Sequence, residues 1–120
     1  MPFTDLILRT LDDQPGMFEV VKGFKWRGED ASLDVPAGFV TDLASIPIGL
    51  RSLFSRTGRS RKPAVAHDYM YFEQMFTRKR CDQLFKAMLI ERGVWRWQAQ
   101  IYYIGVRCGG WKAWNDSERR

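Results

Sequence analysis

The chain has 120 residues, of which 45% are hydrophobic and 14% aromatic, and its formal net charge is +5 at neutral pH. This length predicts a single domain over residues 1–120, and the composition excludes an intrinsically disordered chain. No apolar run approaches the roughly 18 residues of a membrane span, and the first residues lack the pattern of a signal peptide. Cys81 and Cys108 form no disulfide framework, so we expect synthesis in a reducing cytoplasm.

The charge is unevenly distributed along the chain. Residues 1–50 hold 4 Lys/Arg and 8 Asp/Glu, whereas residues 51–120 hold 15 Lys/Arg and 6 Asp/Glu. A basic second half favours anionic partners such as phosphate, nucleic acid, an anionic lipid surface or an acidic protein. The alternative is that the acidic half packs on the basic half.

Residues 1–45 are predicted to be mainly β. Apolar or alternating runs occur at 6–8, 17–21, 24–26 and 32–35, and turn-forming residues separate them. Pro36 ends the last run because proline cannot donate to a ladder, and Gly38 then completes a tight bend. The pattern predicts an antiparallel β-meander.

Three short oxygen-bearing side chains, Thr41, Asp42 and Ser45, follow this bend. Such residues commonly cap turns and helix starts. They can equally provide hard oxygen ligands to a cation or position a water molecule. We therefore keep Asp42 as a candidate metal ligand and Thr41 and Ser45 as candidate pocket residues.

Residues 51–62 are strongly basic, since five of these twelve positions are Lys or Arg. We predict an exposed, mobile loop in which Arg56, Arg59, Arg61 and Lys62 bind an anionic partner. The alternative is a solvated loop with no partner.

The only histidine, His67, lies in a predicted helix over residues 64–74 that begins near Pro63. His67 and Tyr71 are four residues apart and share a helix face, and Asp68 follows the histidine directly. An imidazole, a carboxylate and a phenol together can perform proton chemistry or hold a metal. The alternative is a core histidine with one hydrogen-bond partner and a solvated aspartate.

A second helix is predicted over residues 78–92, with Thr77 as its N-cap and Gly93 after its end. Its apolar stripe comprises Cys81, Leu84, Phe85, Met88 and Leu89. Asp82 lies at the edge of this stripe, where a carboxylate needs a partner. We predict that the His67 imidazole is that partner, at roughly 2.6–3.2 Å.

A third helix is predicted over residues 95–108. Its predicted buried stripe is Trp97, Ile101, Ile104 and Cys108, with Arg96, Tyr103 and Arg107 directed elsewhere. Trp111 and Trp114 follow, and we expect their rings to be buried against the meander. A membrane interface or nucleic-acid stacking is the alternative for these rings. The predicted fold class is α+β: an N-terminal antiparallel β-meander packed against three C-terminal helices, with residues 63–114 mainly helical.

Three segments together resemble a known family. They are Val35-Pro36-Ala37-Gly38-Phe39-x-Thr41-Asp42-x-Ala44-Ser45-Ile46-Pro47, His67-Asp68-Tyr69-x-Tyr71 and Arg80-x-Asp82-x-x-Phe85-x-x-Met88. Over about residues 6–111 the chain resembles the phage and prophage family of unknown function numbered 1353 (DUF1353). The resemblance implies a bacteriophage or prophage origin, synthesis in the host cytoplasm and a potential association with the virion. It implies no activity.

The pattern His67-Asp68-x-x-Tyr71 followed by Asp82 is also similar, more distantly, to secreted phospholipases A2 and their parvoviral relatives. That resemblance implies that His67 activates a water molecule, Asp82 orients His67, and Tyr71 hydrogen-bonds Asp82. It also implies that Asp68 binds calcium, which stabilises the oxyanion. The chain departs from that family because it lacks the disulfides and the glycine-rich calcium loop, and only residues 38–45 occupy a comparable place.

These observations lead us to expect a phage-encoded accessory protein with a hydrolase-like pocket. The expected chemistry is metal-assisted hydrolysis of an ester or phospholipid, with catalytic residues His67, Asp82 and Tyr71 and with Ca²⁺ or another divalent metal at Asp68 and Asp42. The first rival is a non-enzymatic virion or tail component in which the cluster is a structural polar network. The second is a small inhibitor or a nucleic-acid-binding protein. Virion proteins and anionic lipid are favoured as partners over nucleic acid, and an enclosed His67 side chain would favour the structural network.

Overall fold

A computed structural model describes residues 7–10, 18–28, 30–41 and 61–117. The chain divides into two compact units, residues 1–42 and residues 43–120, which we describe separately. The described strands lie in the first unit and the described helices in the second, which confirms the predicted α+β class. The single domain and the packing of strands on helices stay predictions.

The first unit contains two small antiparallel sheets instead of one continuous meander. The strands are β1 (Ile7–Thr10), β2 (Phe18–Lys22), β3 (Phe24–Arg27), β4 (Ser32–Val35) and β5 (Val40–Thr41). One sheet has the order β1-β2-β5 and the other pairs β3 with β4. Only Gly23 separates β2 from β3, and a Cβ atom there would stand 2.8 Å from the carbonyl oxygen of Val35. This close approach requires glycine, and the chain changes sheet at that position.

The β3–β4 hairpin shows why these residues form strands. Phe24 pairs with Val35 and Trp26 with Leu33, and all four side chains are buried. The intervening residues are exposed, as the period of two requires. The predicted bend after β4 is confirmed by a turn at Ala37 and Gly38, in which Gly38 has a φ of 91°.

The second unit contains four helices among its described residues. They are α1 (Arg61–Glu73), α2 (Arg78–Glu91), α3 (Arg96–Gly109) and α4 (Trp111–Ser117). The first three match the predicted helices to within a few residues, whereas α4 was not predicted. The Thr77 hydroxyl accepts a hydrogen bond from the backbone N–H of Arg80 at 3.2 Å, which confirms the N-cap of α2. Gly93, with a φ of 92°, follows the end of α2 as predicted.

Helix α2 lies between α1 and α3, and α4 contacts both α1 and α3. The predicted apolar stripe of α2 is buried in full. The main apolar cluster consists of Ala64, Phe85, Leu89, Val94, Ala99, Tyr102 and Val106. No helix among the described residues is long and apolar enough to cross a membrane.

The predicted orientation of α3 is wrong. Its buried face consists of Ala99, Tyr102 and Val106, whereas the predicted stripe of Trp97, Ile101, Ile104 and Cys108 is exposed. Both faces are apolar and repeat with the same helical period, so periodicity alone cannot choose between them.

We expected the rings of Trp111 and Trp114 to be buried. This is wrong for Trp111, which is exposed. The Trp114 ring is partly buried and packs edge-on against Tyr71, with ring centroids 5.2 Å apart. Helix α4 thereby packs on α1.

Candidate functional site

The carboxylate of Asp82 is the centre of a buried hydrogen-bond cluster. The Nε2 atom of His67 lies 2.6 Å from Oδ1 of Asp82, and the Tyr71 hydroxyl donates to the same oxygen at 2.6 Å. The Arg107 guanidinium donates to the other oxygen, Oδ2, at 3.0 Å. The predicted contact between His67 and Asp82 is therefore confirmed.

The local sequence explains how three helices bring these groups together. His67 and Tyr71 lie one turn apart on α1, so both side chains leave the same face. Helix α1 ends at Glu73, and Gln74 adopts a left-handed conformation with a φ of 52°. Gln74 thus ends the helix in the manner of a C-terminal glycine, and the short connection to Thr77 returns the chain for α2, which packs on α1. Asp82 then lies in the second turn of α2, facing α1.

Asp82 is ionised at neutral pH. Burial raises the pKa of this carboxyl group, but the hydrogen bond and the electrostatic attraction of His67, together with hydrogen bonds from Tyr71 and Arg107, outweigh burial and hold the pKa below its usual value. A carboxylate only accepts hydrogen bonds, so the proton between the two groups resides on His67 Nε2.

The Tyr71 hydroxyl and the Cys81 thiol both stay protonated at neutral pH, because their pKa values are raised. Burial, reinforced by the hydrogen bond to Asp82 and its negative charge, raises the pKa of Tyr71 far above its usual range. Burial likewise raises the pKa of the Cys81 thiol to about 12. Tyr71 is thus a permanent donor to the carboxylate, and Cys81 is not a nucleophile.

Aromatic rings and a second guanidinium surround the cluster. The His67 ring packs against Tyr71 and Phe85, with centroid distances of 4.3 and 4.7 Å. Arg78 Nη1 lies 3.9 Å from Oδ2 of Asp82, and the Arg78 guanidinium also donates to the backbone carbonyls of Val106 and Arg107 at 3.1 Å. Arg78 therefore ties the start of α2 to the last turn of α3, beside the carboxylate.

The cluster is enclosed. The side chains of His67, Tyr71 and Asp82 are fully buried, and Asp68 is 3% exposed. The alternative of a solvated Asp68 is therefore wrong. Enclosure of His67 is the observation that we expected of a structural network.

Arg107 was predicted to point away from the core and instead reaches Asp82. A charged side chain is normally a marker of the solvent face, but a buried carboxylate attracts it inward. Arg107 and Arg78 are the two members of the cluster that we did not predict. The spacing of Arg78 and Asp82, four residues apart on one helix, was a signal that could have identified Arg78.

The remaining predicted site residues lie in the first unit, outside the described residues or at the start of α1. Thr41 ends β5 in the first unit and is buried there. Asp42, Ser45, Arg56 and Arg59 lie outside the described residues, and Arg61 begins α1.

Lys62 was predicted to lie in an exposed loop, and this is wrong. Helix α1 begins three residues earlier than predicted, so Lys62 lies in its first turn and is only 7% exposed. Its role with an anionic partner, like that of Arg56, Arg59 and Arg61, stays a prediction.

The described residues contain no group of three His, Cys, Asp or Glu side chains that could hold a metal ion. Of the two predicted ligands, Asp68 is described and Asp42 is not. The calcium or other divalent metal therefore stays a prediction.

Comparison with known proteins identifies one relationship. The family model described as "Protein of unknown function (DUF1353)" matches residues 18–106, about three quarters of the chain. No curated protein and no solved structure matches. The resemblance to phospholipases A2 is thus not borne out, and any activity has to be argued from the geometry of the cluster itself.

Proposed function

The chain belongs to the DUF1353 family, and we propose that it is a phage- or prophage-encoded accessory hydrolase that cleaves an ester or phospholipid with His67 as general base. One observation carries the proposal: His67 Nε2 lies 2.6 Å from a fully buried carboxylate oxygen that also accepts a hydrogen bond from Tyr71. An imidazole held by a buried carboxylate is a common arrangement for general-base catalysis.

The chemistry follows from which nitrogen carries the proton. The His67 side chain is fully buried, so the proposed reaction requires that water and the substrate carbonyl gain access to its ring. With Nε2–H held by Asp82, Nδ1 then takes a proton from the water molecule while the water oxygen bonds to the substrate carbonyl. The carboxylate stabilises the resulting imidazolium, as the buried aspartate of a catalytic triad does. The imidazolium then gives the proton to the leaving alkoxide as the ester bond breaks. Tyr71 and Arg107 act on Asp82 and are positioning residues.

The concentration of ionisable groups in the core supports a functional origin. His67, Asp68 and Asp82 are all buried within sixteen positions of the chain. Buried charges are costly, and apolar residues of similar volume would often stabilise the fold as well or better. Buried clusters of ionisable groups occur preferentially at functional sites.

A bound calcium ion would supply electrostatic stabilisation of the oxyanion. Calcium takes six to eight oxygen ligands, and Asp68, which follows His67 directly in α1, is the described residue predicted for this role. The described residues alone do not make up such a site. Asp68 and Asp42 stay the predicted ligands.

A second function is favoured by the enclosure of His67. In a non-enzymatic virion or tail component the same cluster would serve as a polar network that fixes α1, α2 and α3 relative to one another. Hydrogen bonds from His67, Tyr71 and Arg107 satisfy both oxygens of the Asp82 carboxylate, as a buried network requires.

The two functions are separated by measuring activity and stability on the same variants. In the enzyme, His67→Ala abolishes hydrolysis of ester and phospholipid substrates and leaves the folded state intact, and Gln83→Ala, an exposed neighbour of Asp82, changes neither. Asp68→Asn removes any dependence of the rate on calcium, because it deletes the charge that a hard cation requires.

In the structural network the same variant changes stability alone, so activity is the measurement that separates the two functions. His67→Ala then lowers the free energy of unfolding by about 1–3 kcal/mol, because Asp82 loses a donor in the core, and no activity is lost. A wild-type protein that hydrolyses no ester or phospholipid, and binds no divalent ion in calorimetry, would rule out the hydrolase.

A further inference from the structure

The exposed side of α3 carries a continuous apolar stripe. Trp97, Ile101, Ile104 and Cys108 follow one another at intervals of four, three and four residues, which places them within about 60° of one another around the helix and along about 16 Å of its axis. Trp97 is 60% exposed, Ile101 39% and Ile104 51%. Scattered exposed apolar residues are ordinary, but a continuous stripe marks an interaction site.

Tryptophans stand at both ends of this stripe. Trp95, 70% exposed, precedes α3 directly, and Trp111, 57% exposed, begins α4 after Gly110. Residues 93–97 also line an open hollow at the first of these ends. Trp rings favour the boundary between water and lipid, where the ring is apolar and the indole N–H reaches polar groups.

The segment of chain that carries the stripe is basic, although one of its arginines, Arg107, is paired with Asp82. Between residues 92 and 115 the chain has four basic residues and no acidic residue: Arg92, Arg96, Arg107 and Lys112. Arg96 and Lys112 are exposed beside the two tryptophan ends. Basic residues next to an apolar helix face are the pattern of helices that lie on anionic membranes.

We propose that this outward stripe of α3, with Trp95 and Trp111 at its ends, docks the protein onto an anionic lipid surface. The proposal is independent of the hydrolase function, since no residue of the stripe belongs to the Asp82 cluster.

Two other occupants fit the same surface less well. A second copy of the chain, docked by the same face, would bring the exposed Arg96 and Lys112 of one copy towards those of the other, which is unfavourable for like charges. A nucleic acid would leave the aliphatic centre of the stripe, Ile101 and Ile104, without an apolar partner, whereas acyl chains bury it.

The chain carries a natural labelling position for the test. Cys108 lies on the stripe and is exposed, whereas Cys81 is buried. An environment-sensitive fluorophore therefore reacts selectively at Cys108. We would add phosphatidylcholine vesicles, with or without about one third phosphatidylglycerol, to the labelled full-length protein and follow both fluorescence and co-sedimentation.

The proposal expects a water-like emission of the label in buffer and a blue shift only with the anionic vesicles, weakening as salt is added. Ile101→Gln together with Ile104→Gln should reduce the partition coefficient about tenfold, and Trp97→Gln should do the same. Met75→Gln, which changes an exposed apolar residue outside the stripe, should leave binding unchanged.

Three results would overturn the proposal. The first is equal binding to vesicles with and without phosphatidylglycerol, or binding to neither kind. The second is wild-type binding by the double isoleucine variant, measured unlabelled by co-sedimentation with its fold verified by circular dichroism. The third is a label that is already blue-shifted in buffer together with concentration-dependent sedimentation, which would assign the face to a second copy. None of these readouts uses catalysis, so a failure of the hydrolase proposal leaves this one standing.

Discussion

Replacing Asp82 by Asn tests whether the buried carboxylate holds the helices together. The substitution preserves shape but offers one acceptor oxygen and one NH₂ group to three donors. In either orientation of the amide, its NH₂ faces a donor, either Arg107 or the pair of His67 and Tyr71. Removing one partner of a buried charge pair costs about 3–5 kcal/mol, which is a third or more of the stability of many domains.

The expected shift in melting temperature follows from the size of the chain. Unfolding entropy of about 2.1 cal/mol/K per residue makes 1 kcal/mol equivalent to about 4 °C for a protein of this length. Asp82→Asn should therefore melt about 12–20 °C below the wild type. Asp116→Asn is the matched control, because the same change on the exposed surface of α4 should cost less than about 0.5 kcal/mol.

The pH dependence gives a second, independent measurement. The pKa of Asp82 in the folded protein is held below its usual value, so folding favours the ionised form. The stabilisation is then fully present above the unfolded pKa of about 3.9, and it is lost as the pH falls through the lower folded pKa. Urea unfolding at pH 7, 5 and 3 should show the difference between wild type and Asp82→Asn at the first two values and a marked decrease at the third.

The reasoning would be refuted by either of two results. One is a cost of Asp82→Asn below about 1 kcal/mol at pH 7, since a fully buried carboxylate with three donors cannot be removed so cheaply. The other is a cost that is the same at pH 7 and pH 3, which would mean that the charge of Asp82 is not what stabilises the fold.

Three further substitutions test the surroundings of the cluster, each by chemical denaturation. Tyr71→Phe keeps the ring but removes one hydrogen bond to the carboxylate, and it should cost about 1–3 kcal/mol; an unchanged stability would contradict the role of the hydroxyl. Thr77→Ala should cost about 1 kcal/mol by removing the N-cap of α2, and Thr77→Ser should restore it. Gly110→Ala would place a Cβ atom 2.7 Å from the Tyr71 hydroxyl and should destabilise by about 1–3 kcal/mol, whereas Gly109→Ala, exposed on the preceding turn, should not.

The elements that could be predicted are those for which several local signals agree. Helix α2 has an N-cap at Thr77, one apolar stripe and a glycine after its end, and each signal indicates the same helix. The contact between His67 and Asp82 was predictable for a similar reason. A carboxylate at the edge of a buried stripe requires a partner, and the chain has a single imidazole.

The parts that could not be predicted depend on contacts between distant segments. The division of the strands into two sheets depends on the approach of Gly23 to Val35, twelve residues away. The left-handed conformation of Gln74 has no signal of its own, because glycine or asparagine is the usual residue there. Local residue propensities predict neither the division into two sheets nor the conformation of Gln74.

A buried charge determines which of the two apolar faces of helix α3 is buried. Burying Trp97, Ile101 and Ile104 instead of Ala99, Tyr102 and Val106 would remove more apolar surface from water, worth on the order of 2 kcal/mol. That choice requires a half turn of α3, which carries Arg107 to the opposite flank of the helix.

The half turn would leave Oδ2 of Asp82 with only Arg78, at 3.9 Å, and without the 3.0 Å hydrogen bond from Arg107. Loss of one donor from a buried carboxylate costs about 1–3 kcal/mol, which is enough to offset what the apolar area returns. The observed orientation is therefore the one that satisfies Asp82. The same orientation leaves the apolar stripe of α3 exposed. The hydrogen bond from Arg107 to Asp82 therefore accounts for both the buried cluster and the exposed stripe.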